Sequence, residues 1–257
     1  ARGFPVIQHP LPALAKRRKL SMSLTSKTSC VITISDVPTT KRILVIDVGG
    51  THVKLYTAPN TPAIEFVSGH TMTPEQFIHD VNQCVDTSLF DGVSIGFPSP
   101  ISGNRILKEP VNLASGWVNF DLADAFPCPI RLINDAAMQA VGSYEGGSML
   151  FLGLGTGLGS ALIVNQQLQP MEVAHLPYLE HDYEYYVSEH YRESEGDAVW
   201  RQSVLTVVDL FYQAFMPDYI VIGGGNVHQF TTLPEHVRRG DNDKAFLGGI
   251  RIWGNNL

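Results

Sequence analysis

Residues 151–160 read Phe-Leu-Gly-Leu-Gly-Thr-Gly-Leu-Gly-Ser, with glycine at every second position from Gly153 to Gly159. No other stretch constrains the fold as much. The apolar run 149–152 leads into it and the strand-like run 161–164 leaves it, which predicts a hairpin rather than a strand-to-helix turn. A second glycine turn, Asp47-Val48-Gly49-Gly50-Thr51, lies far upstream between the apolar runs 43–46 and 53–56. Glycine lets backbone N–H groups turn toward a ligand and lets an anion approach with no Cβ in the way. Two such hairpins predict two jaws closing on a chain of phosphates.

Between and beyond the hairpins, strands alternate with helices. Thr73-Pro74-Glu75 opens a helix: Thr73 can cap it, Pro74 suits its first turn, and Phe77, Ile78, Val81 and Val85 fall at helical spacing. Gly92–Phe97 is a buried strand closed by Pro98-Ser99-Pro100, and 129–133 is a short strand running into Asn134-Asp135 and a helix over 136–144. A helix over 198–215 and a strand over 219–222 precede Gly223-Gly224-Gly225. The alternation predicts an α/β protein, and the likeness of its two hairpin-bearing halves suggests an internal duplication. The Tyr-, Glu- and His-rich segment 178–197 reads as a loop or helical insertion over a site.

Composition narrows the function class. A 257-residue chain with 44% hydrophobic and 17% charged residues can bury a full core. No apolar run approaches the roughly 20 residues that span a bilayer. Cys30, Cys84 and Cys128 have the spacing of neither a disulfide framework nor a zinc ribbon, which points to a reducing, cytoplasmic setting. Residues 1–35 hold six basic residues and no acid, leaving 12 basic against 25 acidic residues in the remainder. So acidic a body argues against general nucleic-acid binding. Segment 1–40 has two readings, a targeting peptide or a disordered extension ahead of a start at Met22; the second is preferred.

The motifs carry the chemistry. Asp47 with Gly49, Gly50 and Thr51 offers an acid for the waters around Mg²⁺, a turn of N–H groups and a hydroxyl, although Gly-Gly is also common in ordinary hairpins. The Gly153–Gly159 run is neither a dinucleotide fingerprint nor a Walker loop. Beside the Asp47 turn, its glycines exceed what a structural hairpin needs. Asp135 is either a helix cap or a carboxylate at a strand's C-terminal edge, placed to take a proton from a sugar hydroxyl that attacks phosphorus; both roles are compatible. Glu172 and His175 lack a third metal ligand and suit vicinal sugar hydroxyls, the bland alternative being a surface helix turn. Gly223, Gly224 and Gly225, followed by Asn226, would let a flat ring or a phosphate lie against the backbone.

Taken in order, these motifs resemble the ROK family of sugar kinases, within the sugar-kinase/Hsp70/actin superfamily, and most nearly its polyphosphate-using branch. The likeness runs from Lys41 to Trp253 and also takes in Ser94-Ile95-Gly96-Phe97-Pro98, Asn112-Leu113 with Gly116-Trp117, Gly142–Gly147, and Gly240-Asp241-Asn242. It implies a two-lobed actin-like ATPase (ribonuclease H-like) fold with a central cleft. Residues 41–133, joined by 244–257, would form a small lobe and 134–243 a large one. It further implies glucose as substrate, polyphosphate or ATP as donor, Mg²⁺, a homodimer, and no zinc, the family's zinc cysteines being absent. Asp135 is then the catalytic base. Asn112, Asn134, Glu172, His175 and Glu184 are sugar ligands. Asp47, Gly49, Gly50, Thr51, Gly155, Thr156, Gly157 and Gly223–225 contact the donor. Ser99, His52 and Lys54 depart from the family pattern. A polyanionic donor would want a basic track, for which Lys54, Lys108, Arg238, Arg239, Lys244 and Arg251 are the candidates. A sugar-sensing ROK regulator would need a helix-turn-helix that residues 1–40 are too short and irregular to supply, and a chaperone-like ATPase would need a peptide-binding domain.

Overall fold

Apolar runs on either side of the first glycine turn zip into an antiparallel pair, and the turn between them is left at the sheet's end. The computed structural model describes residues 32–34, 41–241 and 244–254. After a two-residue strand, β1 (Ile32–Thr33), come β2 (Ile43–Val48), β3 (His52–Tyr56) and β4 (Ile64–Val67). Helix α1 (Pro74–Cys84) starts where the sequence predicts, the Thr73 hydroxyl accepting the Gln76 N–H at 3.3 Å. The fully buried β5 (Gly92–Phe97), the minor hairpin β6 (Ile101–Ser102) and β7 (Arg105–Ile106), and β8 (Ile130–Asn134) follow. The first sheet has the order β4-β3-β2-β5-β8, with β2, β5 and β8 parallel. Phe77 and Phe97 pack on Trp117, at ring distances of 5.6 and 4.7 Å, on the α1 side of this sheet.

Helix α2 (Asp135–Ser143) leads to β9 (Ser148–Leu154) and β10 (Leu158–Val164), seven residue pairs in antiparallel register around the second glycine loop. Strand β11 (Gln167–Pro170) extends this sheet. The predicted insertion is a short ladder, β12 (Pro177–Tyr178) with β13 (His181–Asp182), then α3 (Tyr183–Val187) and α4 (Glu189–Glu195). The long α5 (Asp197–Phe215) buries Trp200, Val204, Val207, Val208 and Phe211 against the sheet. Then come β14 (Tyr219–Gly223), β15 (Val237–Arg239) and α6 (Lys244–Arg251). The second sheet has the order β1-β11-β10-β9-β14-β15. Ile32 and Thr33, within the segment expected to be a leader, pair with Leu168 and Gln167 as its edge strand. The basic cluster of residues 2–27, Met22, Cys30 and Asn242 lie outside the described residues.

Helices α2 and α6 lie between the two sheets and share one core cluster with residues of both. They cross so closely that a Cβ on Gly142 would strike the Lys244 carbonyl, and one on Gly248 the Met138 carbonyl. Behind α6, the Ser94 hydroxyl donates to the Gly249 carbonyl and accepts the Trp253 indole N–H, both at 2.6 Å. The Arg251 guanidinium closes the far end of α2 on the carbonyls of Val141 (3.0 Å) and Tyr144 (2.9 Å), satisfying groups that a helix end leaves unpaired. The C-terminal ends of β2, β5 and β8, and those of β9 and β14, thereby converge on the start of α2. In α/β sheets the carboxyl ends of parallel strands are where ligands bind.

Candidate active site

The start of α2 is the centre of the site. Asn134 ends β8 in extended conformation, and its side-chain oxygen accepts the Ala137 N–H at 3.1 Å. Asn134, not Asp135, is therefore the helix cap; Asp135 sits one residue on and accepts the Ala136 N–H at 2.8 Å. Burial raises the Asp135 pKa, N–H bonds pull it partly back, and the nearby Glu172 charge adds to the rise. Asp47, the penultimate residue of β2, is pushed up to about 7 by burial and then by Asp135, with Lys54 across the hairpin opposing the shift. The structure thus brings Asp47, Asp135 and Glu172 within one electrostatic neighbourhood. A carboxylate raised in this way is a competent proton acceptor near neutral pH.

That excess of negative charge also bears on a metal. Among the described residues no cluster of three or more His, Cys, Asp or Glu side chains could hold an ion by itself. Mg²⁺ commonly takes only one or two carboxylates and completes its shell with water and phosphate. A single carboxyl whose pKa burial and then the Asp135 charge push up to about 7, and which a cation would hold ionised, fits that demand, and Asp47 is the residue that offers it.

The first glycine loop is tied down from below. The Gly49 N–H donates to the His52 carbonyl at 2.9 Å, and Ser68 donates its hydroxyl to the Gly49 carbonyl and its N–H to that of Thr51. The His52 ring nitrogen lies 3.2 Å from the Thr51 hydroxyl. Gly50 faces Asn112: a Cβ there would come within 3.0 Å of the Asn112 Cβ. The Asn112 loop is itself held by Glu109, whose carboxylate accepts the N–H groups of Gly116 and Trp117 at 3.0 Å and of Val118 at 3.2 Å. Sequence reading missed Glu109, because an isolated acid before a proline carries no local signal.

The second loop divides its glycines between two tasks. Gly153 and Gly159 lie under α2, where a Cβ on Gly159 would overlap the Ala136 methyl. The expectation that a structural hairpin would not need so many glycines is corrected here for Gly159, which admits the helix; a Cβ on Gly153 would make only ordinary contact, 3.9 Å from the Ala136 methyl. Gly155 and Gly225, in contrast, have nothing within 4 Å of where a Cβ would stand. Gly224 adopts φ +85° with the Leu154 backbone pressed against it, so only glycine fits. Gly223 rests on the Phe151 ring, while Thr156 is exposed at the tip of the loop.

Among the residues matched to sugar ligands, Glu172 and His175 lie on an irregular turn rather than a helix, with Val173 and Ala174 buried between them. The His175 ring turns to Asp182, 3.3 Å away, and its side chain is 64% exposed, so it sits at the rim. Glu184 lies beside Gly157 and accepts the Leu158 N–H at 3.0 Å, while its own N–H donates to the Ala174 carbonyl at 3.0 Å. It therefore stands between the Glu172–His175 turn and the second glycine loop. The candidate basic track is largely committed elsewhere. Lys54 pairs with Glu65 (3.5 Å) and Arg238 with Glu145 (2.5 Å), Arg239 donates to the Phe230 carbonyl, and Arg251 caps α2. No helix among the described residues is long and apolar enough to cross a membrane.

Residues 43–170 match the ROK family. Comparison with curated proteins finds no match. The fold is similar to that of an inorganic polyphosphate/ATP-glucomannokinase from Arthrobacter sp. strain KM (TM-score 0.66, 23% identity, 81% of this chain and 96% of that one). It is similar also to a ROK family glucokinase from Streptomyces griseus in complex with glucose and AMPPNP (0.61, 17%, 80% and 98%). A ROK family transcriptional regulator, a homolog of the E. coli MLC protein, matches too (0.59, 14%, 82% and 76%). The α/β architecture is thus that of the actin-like ROK structures.

Proposed function

We propose that this chain, whose residues 43–170 match the ROK family, is a sugar kinase that phosphorylates the 6-hydroxyl of glucose, with Asp135 as the base and inorganic polyphosphate or ATP as donor. The observation that carries the reading is the Asp135 carboxylate. It stands at the start of α2 where both glycine loops converge, its proton affinity raised by burial and flanked by Asp47 and Glu172. Glucose is held by Asn112, Asn134, Glu172, His175 and Glu184, whose acceptors and donors suit a row of hydroxyls. Asp135 takes the proton of the attacking hydroxyl as that oxygen closes on phosphorus. Backbone N–H groups at Gly50–Thr51 and Thr156–Gly157 face the donor, those of Gly49 and Gly155 closing the turns on the His52 and Gly157 carbonyls, with the open wall at Gly225 opposite. Mg²⁺ held at Asp47 would neutralise charge on the transferring phosphoryl group. The cysteine spacing, which suits neither a disulfide framework nor a zinc ribbon, supports a cytoplasmic setting for the reaction.

Two measurements test this. Asp135→Asn should lower turnover by roughly 10²- to 10⁴-fold, the usual contribution of a general base, while glucose binding by calorimetry persists; near-wild-type turnover overturns the assignment. Initial rates with polyphosphate and with ATP, at saturating glucose, decide the donor, and a strong ATP preference overturns the polyphosphate reading. Similarity to the MLC homolog favours a second reading, a sugar-sensing regulator. Glucose-dependent phosphoryl transfer without operator binding excludes it.

A further inference from the structure

The insertion after the Glu172–His175 turn does more than cover the site. Its second helix, α4, begins at Glu189, whose N–H is one of those a helix start leaves without an internal partner. That N–H donates to the Gly155 carbonyl at 3.0 Å. The Glu189 carboxylate reaches the opposite way and accepts the side-chain N–H of Asn226, a buried residue directly after Gly225. One residue therefore grips both of the loops that carry the open glycines.

Around Glu189 the charge is balanced locally. Its other oxygen takes the Arg192 guanidinium, which also donates to Asp197 at 2.9 Å. These bonds keep Glu189 ionised, its pKa lowered first by Arg192 and, against the effect of burial, by Asn226. The helix is anchored in turn: Ser188 caps α4 by accepting the Tyr191 N–H at 3.3 Å, and the Trp200 indole donates to the Val187 carbonyl at 2.8 Å. A charge-assisted bond between fixed elements holds its partners more narrowly than a neutral one.

We propose that Glu189 is a positioning residue for the phosphoryl donor: a crosstie that sets the gap between the Gly155 loop and the Gly225 turn. The proposal rests on the kinase reading given above. Without the crosstie the hairpin loop and the Gly225 turn move independently, and the donor meets two walls at variable separation. The sugar side stays in place, because Asn112 is held from Glu109 and Asn134 from α2, neither of which touches Glu189.

The test uses the full chain with Glu189→Ala, Asn226→Ala and the double variant. Loss of one charge-assisted bond predicts a roughly tenfold rise in donor KM, with glucose KM unchanged within about twofold and the double variant no worse than either single one. Glu189→Gln, which keeps an acceptor for Asn226, should recover part of the loss. Amide hydrogen exchange, read with no substrate present, should show lost protection in 223–229 for Glu189→Ala, while the amide of residue 189, whose bond to the Gly155 carbonyl is made by the backbone, keeps its protection. The crosstie is refuted by unchanged exchange in 223–229, by donor and glucose KM rising together, or by additive effects of the two single variants. An inactive wild type with the exchange pattern intact would sink the kinase reading and leave the crosstie standing.

Discussion

Asp47→Asn turns the repulsion at the site's centre into a stability measurement. In the native protein burial and Asp135 push the Asp47 pKa up to about 7, against the ordinary aspartate value of 3.8. Between these values the folded state holds a proton that the unfolded chain has released, so stability falls as pH rises through this window. The whole displacement is worth on the order of 4 kcal/mol, of which about 2–3 kcal/mol is lost between pH 5 and pH 8. Asparagine has the same shape and no titration. The stability lead of Asp47→Asn over wild type should therefore widen by about 2–3 kcal/mol from pH 5 to pH 8. Urea denaturation of both proteins at unit pH steps, in EDTA, reads this directly. Because Asp135 contributes to the shift, the widening should shrink when the comparison is repeated in an Asp135→Asn background. A lead that stays constant across the range would refute the reasoning, since the carboxylate would then be as comfortable folded as unfolded.

Two further outcomes separate structural from open positions. Gly159→Ala should lower stability by about 1–3 kcal/mol, the usual cost of overpacking, as its methyl meets Ala136. Gly155→Ala, with open space around it, should leave the melting temperature within about 2 °C while raising donor KM. Calorimetric melts and donor titrations of the pair check both, and equal melting temperatures would contradict the division of labour. Arg251→Met keeps the length of the side chain but uncaps the carbonyls of Val141, Gly142 and Tyr144. It should cost about 2 kcal/mol or more by chemical denaturation, as expected for charged hydrogen bonds; a neutral result would mean that water replaces the guanidinium at no loss.

Much of this protein is legible along the chain because the signals are local. The alternation of apolar residues with glycine turns gives β2–β3 and β9–β10. Thr73-Pro74 gives the start of α1, and the buried run before Asn134-Asp135 gives the strand-to-helix junction on which the site is centred. Each of these depends on neighbours within a few residues, where backbone preference and side-chain period act directly. Local reading reached its limit at the same junction. It gave Asp135 a capping role because Asp and Asn are equally good caps, and only backbone geometry assigns the cap to Asn134.

Tertiary structure decided what depends on distance through space. Nothing near Gly159 in the chain says that Ala136 will lie against it, nor near Gly50 that Asn112 will. Glu109 and Glu189 look like ordinary surface acids until their carboxylates are seen on backbone and side-chain N–H groups of other segments. The proton affinity of Asp47 is the clearest case. The residue type fixes 3.8, and the rise toward 7 exists only because the fold removes water and brings Asp135 close. The sequence by itself determined the two glycine hairpins and the acid between them. The fold decided which glycines face open space and which carry a helix, since contact and charge coupling act across the sheets rather than along the chain.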